Sequence, residues 1–75
     1  MTQDEQLVRM ANHIGTFFES MPDRQEALEG IAMHLKKFWD PRMREAFLDL
    51  VDAEGTPPIS AMVRESVHTH RALIR

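Results

Sequence analysis

Apolar residues in this chain return every three or four positions and never alternate over the length of a strand, which restricts it to helices. Leu7, Met10, Ala11, Ile14, Phe17, Phe18 and Met21 follow one another at spacings of 3, 1, 3, 3, 1 and 3. Leu28, Ile31, Ala32, Leu35, Phe38 and Trp39 do so at 3, 1, 3, 3 and 1. Each set covers one side of an amphipathic helix. Met43, Ala46, Phe47, Leu50 and Val51 make a third set. Ile59, Met62, Val63, Val67, His70, Leu73 and Ile74 make a fourth. No Asn-Gly hairpin, internal repeat or low-complexity tract interrupts them.

Capping residues divide the pattern. Thr2, with Glu5 after it, forms a capping box that opens a first helix running to about Ser20. Met21-Pro22-Asp23 ends it, and Asp23 with Glu26 opens a second, from Arg24 to Trp39. Asp40 is a good N-cap because its carboxylate accepts the free N–H groups of the next turn. Pro41 suits the first helical position and pushes Asp40 out of the α region. The third helix therefore spans Pro41 to Ala53, with Gly55 as its C′ residue. Asp49, Asp52 and Glu54 crowd its C-terminal half, against the macrodipole, so it needs tertiary contacts or a basic partner. A fourth helix is predicted from Pro58 to Ala72. Gly15 either admits a neighbouring helix or is a tolerated weak spot, and Gly30 marks a close crossing. With such short loops, neighbouring helices pack on each other. The expectation is all-α: one helical domain over residues 1–75, a small four-helix bundle or an irregular helical array.

At 75 residues the chain buries a limited core and is marginal alone. A partner, or a homodimer of the isolated chain, is the usual remedy. There is no cysteine, so no disulfide framework, which fits a reducing cytoplasm. The polar, acidic start predicts no secretory signal, and no apolar run approaches the roughly 18–20 residues of a membrane span. A net charge of −3 argues against nucleic acid as the main partner. A helix-turn-helix placed on Asp23 to Ala53 fails because its second helix turns acidic after Arg44.

Catalytic patterns are missing from the sequence. His68 and His70 are two apart and point to different faces, while His13 and His34 lie on separate helices without a zinc-type spacing. Ser20, Ser60 and Ser66 read as helix-end or helix-surface serines, with no nucleophile elbow. No glycine-rich phosphate loop is present. No catalytic, cofactor-binding or metal residue is expected.

Charge is segregated instead. His34 to Arg44 holds four basic residues against Asp40, whereas Glu45 to Glu54 holds four acids and no base. Such a distribution suits a protein contact better than a polyanion. Arg42 and Arg44 fall in the first turn of a helix, where cations are mildly unfavourable. With Lys36 and Lys37 they make a positive spot that suits an anion. The plainer alternative, solvated charges paired with Glu45 or Asp49, is preferred from the residues alone. Phe38 and Trp39 fall on the core face by spacing, yet tryptophan is also enriched in binding hot spots. Phe17 and Phe18 are adjacent and cannot both point at the core, so one is left for an exposed patch.

Three blocks in order carry a family resemblance: Met10-Ala11-Asn12-His13-Ile14-Gly15-x-Phe17-Phe18, Met21-Pro22-Asp23-Arg24-x-Glu26-Ala27, and Gly30-Ile31-Ala32-x-His34-Leu35-x-x-Phe38-Trp39-Asp40-Pro41-Arg42-Met43-Arg44. The chain resembles the small delta subunit of the cytoplasmic, NAD-dependent, molybdenum- or tungsten-containing formate dehydrogenases. The likeness covers about residues 8 to 50, and the tail after Gly55 is alike only in being helical. The resemblance implies a non-catalytic accessory subunit with no cofactor of its own. In that family the catalytic alpha subunit holds bis-molybdopterin guanine dinucleotide and iron–sulfur clusters, and other subunits carry FMN and the NAD site. The delta subunit associates with the catalytic subunit and supports assembly, stability or cofactor loading. The family's run Phe-Trp-Asp-Pro-Arg-Met-Arg is intact here. Lys36 and Lys37 stand where arginine is frequent, which keeps the charge and loses bidentate geometry. The resemblance points to a partner-binding corner of Lys36, Lys37, Phe38, Trp39, Arg42 and Arg44, with Phe17 as an exposed neighbour. Two alternatives stay open. One is a transient assembly chaperone meeting the apo catalytic subunit or pterin phosphates through Lys36, Arg42 and Arg44. The other is a self-associating helical module.

Overall fold

Three of the helix starts are capped as their sequences predict. The Thr2 hydroxyl accepts the Glu5 N–H at 3.2 Å. The Asp23 carboxylate accepts from Gln25 and Glu26 at 2.9 and 3.3 Å, and Asp40 accepts from Met43 at 2.9 Å. Pro41 occupies the first turn behind Asp40, whose backbone is extended. The computed structural model describes residues 2–53 and 58–75. Among these the helices are α1 (Gln3–Phe18), α2 (Arg24–Phe38), α3 (Pro41–Asp52), α4 (Ala61–Thr69) and a short α5 (Arg71–Ile74). The expected Gly55 cap lies outside the described residues.

α2 is the central helix, packed against α1, α4 and α5, while α1 also meets α3 and α4. The arrangement is an irregular all-α array rather than a regular four-helix bundle. Its core gathers Leu7, Ile31, Leu35, Trp39, Phe47, Val63, Val67 and Ile74 from all five helices and their joints. Trp39 and Phe47 meet edge to face, with ring centroids 5.6 Å apart. The radius of gyration is 11.3 Å, about the value for a compact chain of this length.

The core face of α1 differs from the expectation. Val8 is buried and Gly15 lies against α4, while Met10 and Phe17 are exposed and Ile14 is half-buried. The reason is at Gly15, where an added Cβ would lie 2.7 Å from Val63 Cγ2. α4 approaches on this small-residue side, so α1 rolls toward Val8, Ala11 and Gly15 and leaves its larger residues outside. Gly30 is a close crossing too, with the Phe18 ring over its Cα.

The last quarter departs further. Ser60, not Pro58, begins the helix, its hydroxyl accepting the Val63 N–H at 3.2 Å. The Asn12 side chain donates to Pro58 O at 2.9 Å and accepts from Ser60 N–H at 2.8 Å, holding the approach to α4 against α1. The helix then breaks at His70 (φ −118°, ψ 30°), and α5 turns to bury Ile74 against α2. Ser66, expected at a surface, is fully buried and donates to Leu28 O at 2.6 Å. The acidic end of α3 finds its tertiary contacts within the chain. Arg64 donates to Val51 O at 3.2 Å, and Arg71 makes a two-pronged pair with Asp52. The Arg71 hydrogen bond holds the Asp52 carboxyl below its ordinary value. A depressed carboxylate stabilises above its unfolded pKa and is lost as pH falls, so this link is intact at neutral pH and weakens only in acid.

Candidate docking surface

The corner at Trp39–Arg44 is built from inward contacts. From the first turn of α3, Arg44 reaches back and donates to Trp39 O at 2.7 Å and Lys36 O at 3.2 Å. Those carbonyls end α2, the negative pole of its dipole, so the cation that looked misplaced at one helix start serves the preceding helix end. Trp39 is only 5% exposed. Lys36 donates to Arg75 O at 2.7 Å, tying α2 to the end of α5. The expected binding corner is thus divided: Trp39 is core, and Arg44 and Lys36 hold helices together. The cause is the sharp turn that Pro41 imposes, which folds the start of α3 back over the end of α2.

Lys37, Arg42, Phe38 and Phe17 remain outside. Phe17 is 73% exposed and Phe38 72%, a large departure for phenylalanine. Neither stands alone. Met10, His13, Ile14 and Phe17 follow the i, i+3, i+4, i+7 spacing of one helical stripe on α1. His34 and Phe38 are one turn apart on α2, their rings in contact at 4.7 Å between centroids and tilted by 41°. Between the helices lies a groove of about 380 Å³ lined by Arg9, Met10, His13, Ile14, His34 and Trp39. The helices run antiparallel here, with Phe18 over Gly30 at one end and Arg9 and Met10 beside Trp39 at the other. The result is a largely apolar groove, with exposed Phe17 on α1 and exposed Phe38 on α2 outside its lining.

His13 lies at the polar edge of α1, as its position predicts, whereas Met10 is exposed and Ile14 only half-buried, on the face that the spacing assigns to the core. Nothing local in the sequence distinguishes this outward stripe from an inward one. His13 and His34, expected on unrelated positions, share this groove. Among the described residues no three His, Asp or Glu side chains gather as a metal site would need. A second groove of about 360 Å³ lies between α3 and α5, where Glu45 and Asp49 share the lining with Arg44, Arg71 and Arg75. Its charge is mixed and Arg71 is already paired.

Residues 6–67 match the family described as the NADH-dependent formate dehydrogenase delta subunit, FdsD. The chain belongs to this family. The match takes in α2 and α3 whole, most of α1, and α4 as far as Val67, so it extends past the blocks that carried the resemblance. No curated protein and no solved structure matches the chain. Membership in the delta-subunit family implies association with other subunits of a formate dehydrogenase. No helix among the described residues is long and apolar enough to cross a membrane.

Proposed function

We propose that this delta subunit is a non-catalytic component that binds the catalytic alpha subunit of its formate dehydrogenase and supports assembly or stability of the complex. It docks through the α1–α2 groove and its two phenylalanines. The observation that carries this is that Phe17 and Phe38, each more than 70% exposed, stand on the same two helices whose side chains line the groove, Phe17 in the Met10–Phe17 stripe of α1 and Phe38 against the groove residue His34. Exposed aromatic clusters of this kind mark binding surfaces, because leaving them in water forgoes about 1.5–3 kcal/mol per large side chain.

The test is co-expression of the tagged chain with its cognate catalytic subunit, followed by size exclusion. The wild-type chain co-elutes with the subunit. Phe17→Ser with Phe38→Ser weakens retention by about a hundredfold or more, from two anchors of about 2 kcal/mol each. Its melting temperature stays near that of the wild type, because exposed substitutions usually cost within about 0.5 kcal/mol. Arg44→Met behaves in the opposite way. It loses about 1–3 kcal/mol of stability with the α2 cap and keeps its retention. Full retention of the double-phenylalanine variant overturns the docking face.

A further inference from the structure

We propose that the segment of the catalytic subunit seated in this groove is an amphipathic helix whose apolar stripe is bordered by aspartate and glutamate. This rests on the docking reading above and adds the chemistry of the occupant. Shape comes first. The α1 bank from Met10 to Phe17 spans about 10 Å, two helical turns. A channel between two antiparallel helices receives a third helix through side chains spaced i, i+3, i+4 and i+7.

Charge decides the flanks. None of the residues lining the groove is acidic, and Arg9 is among them. Lys37 is exposed at the end of α2, one residue before Phe38, outside the groove's lining. The internal contacts of the fold use Arg24, Lys36, Arg44, Arg64 and Arg71. Among the described residues Arg9, Lys37, Arg42 and Arg75 are exposed and make no ion pair, and of these Arg9 and Lys37 lie on the two helices that form the groove. They are cations in reserve on either side of an apolar floor, and His13 and His34 add donors between them. An acidic-flanked helix satisfies all four. A second copy of this chain does not, because a two-fold contact across the groove brings the cations Arg9 and Lys37 of one copy toward those of the other.

The test measures affinity between the purified chain and the purified catalytic subunit at low and high salt. The wild type weakens as salt rises. Arg9→Glu with Lys37→Glu binds about tenfold or more weakly at low salt, and the gap narrows at high salt. Phe17→Ser with Phe38→Ser loses binding at both. If the charge-reversed chain binds like the wild type at every salt while the phenylalanine variant fails, the acidic flanks are overturned and the docking face stands. If both variants bind like the wild type, the face itself is overturned. A chain that dimerises through the groove and ignores the catalytic subunit makes the second copy the occupant and overturns the proposal.

Discussion

Phe47→Ala removes a large part of this protein's stability and lowers its melting temperature steeply. Phe47 is completely buried at the meeting of α2 and α3, with the Trp39 ring edge-on at 5.6 Å. Removing a buried phenylalanine costs about 3–5 kcal/mol in lost transfer energy and cavity. A domain of this size is stable by roughly 4–11 kcal/mol at about 0.05–0.15 kcal/mol per residue, so one substitution consumes a large part of the total. The chain carries its own reporter, since Trp39 is the only tryptophan and sits against the mutated ring. Its emission, blue-shifted in the wild type by burial, moves to longer wavelength in Phe47→Ala, and the thermal transition broadens or disappears. Phe47→Leu keeps a cooperative transition at a lower temperature. A Phe47→Ala chain that melts like the wild type contradicts the assignment of this contact as the core.

Gly15→Val is the second large loss. The first atom of any side chain at position 15 meets Val63 Cγ2 at 2.7 Å and Ser60 Oγ at 3.2 Å. Val63 is fully buried and β-branched, so it has no free rotamer into which to withdraw. Overpacking of this kind costs about 1–3 kcal/mol, and the two further methyls press on the same wall. The gain from replacing glycine in a helix, about 0.5 kcal/mol for valine, does not offset it. The clash also pushes on Ser60, whose hydroxyl caps α4 and whose N–H is held by Asn12. Gly30→Ala is the comparison. The nearest atoms to its new methyl all belong to the ring of Phe18, which packs on the edge of the core but is only half-buried and so has more room to yield than Val63. Chemical denaturation separates the two: a midpoint far below the wild type for Gly15→Val and near it for Gly30→Ala. Equal losses at both glycines refute the distinction between a rigid and a yielding neighbour.

These two sites also mark what could and could not be read from the residues. The helical spacing and the caps Thr2, Asp23 and Asp40 are local signals, and the structure follows them closely. The direction in which each helix faces is not local. Leu7, Ala11 and Phe18 fit two neighbouring stripes on α1, and only the approach of α4 at Gly15 selects the one that includes Val8. The discarded stripe, Met10 to Phe17, is the candidate binding surface for the same reason. Arg44 is legible as a cation in the wrong place, but its answer lies five and eight residues back, across a turn whose geometry the Asp40-Pro41 pair sets. The break at His70 has no proline or glycine to announce it. It follows from the burial of Ile74 against α2, a contact far away in the chain.

The groove is therefore the feature on which the functional account stands, and thiol labelling addresses it most directly. The chain has no cysteine, so a single introduced thiol is a clean reporter. His13→Cys places it in the groove, and Glu45→Cys places it at an exposed position of the separate groove between α3 and α5. Each variant is treated with a maleimide, free and in complex with the catalytic subunit, and the mass of this chain is followed over time. The account predicts rapid labelling of both thiols in the free chain, with His13→Cys strongly protected in the complex and Glu45→Cys unchanged. Equal labelling of His13→Cys with and without the catalytic subunit, or protection confined to Glu45→Cys, contradicts it.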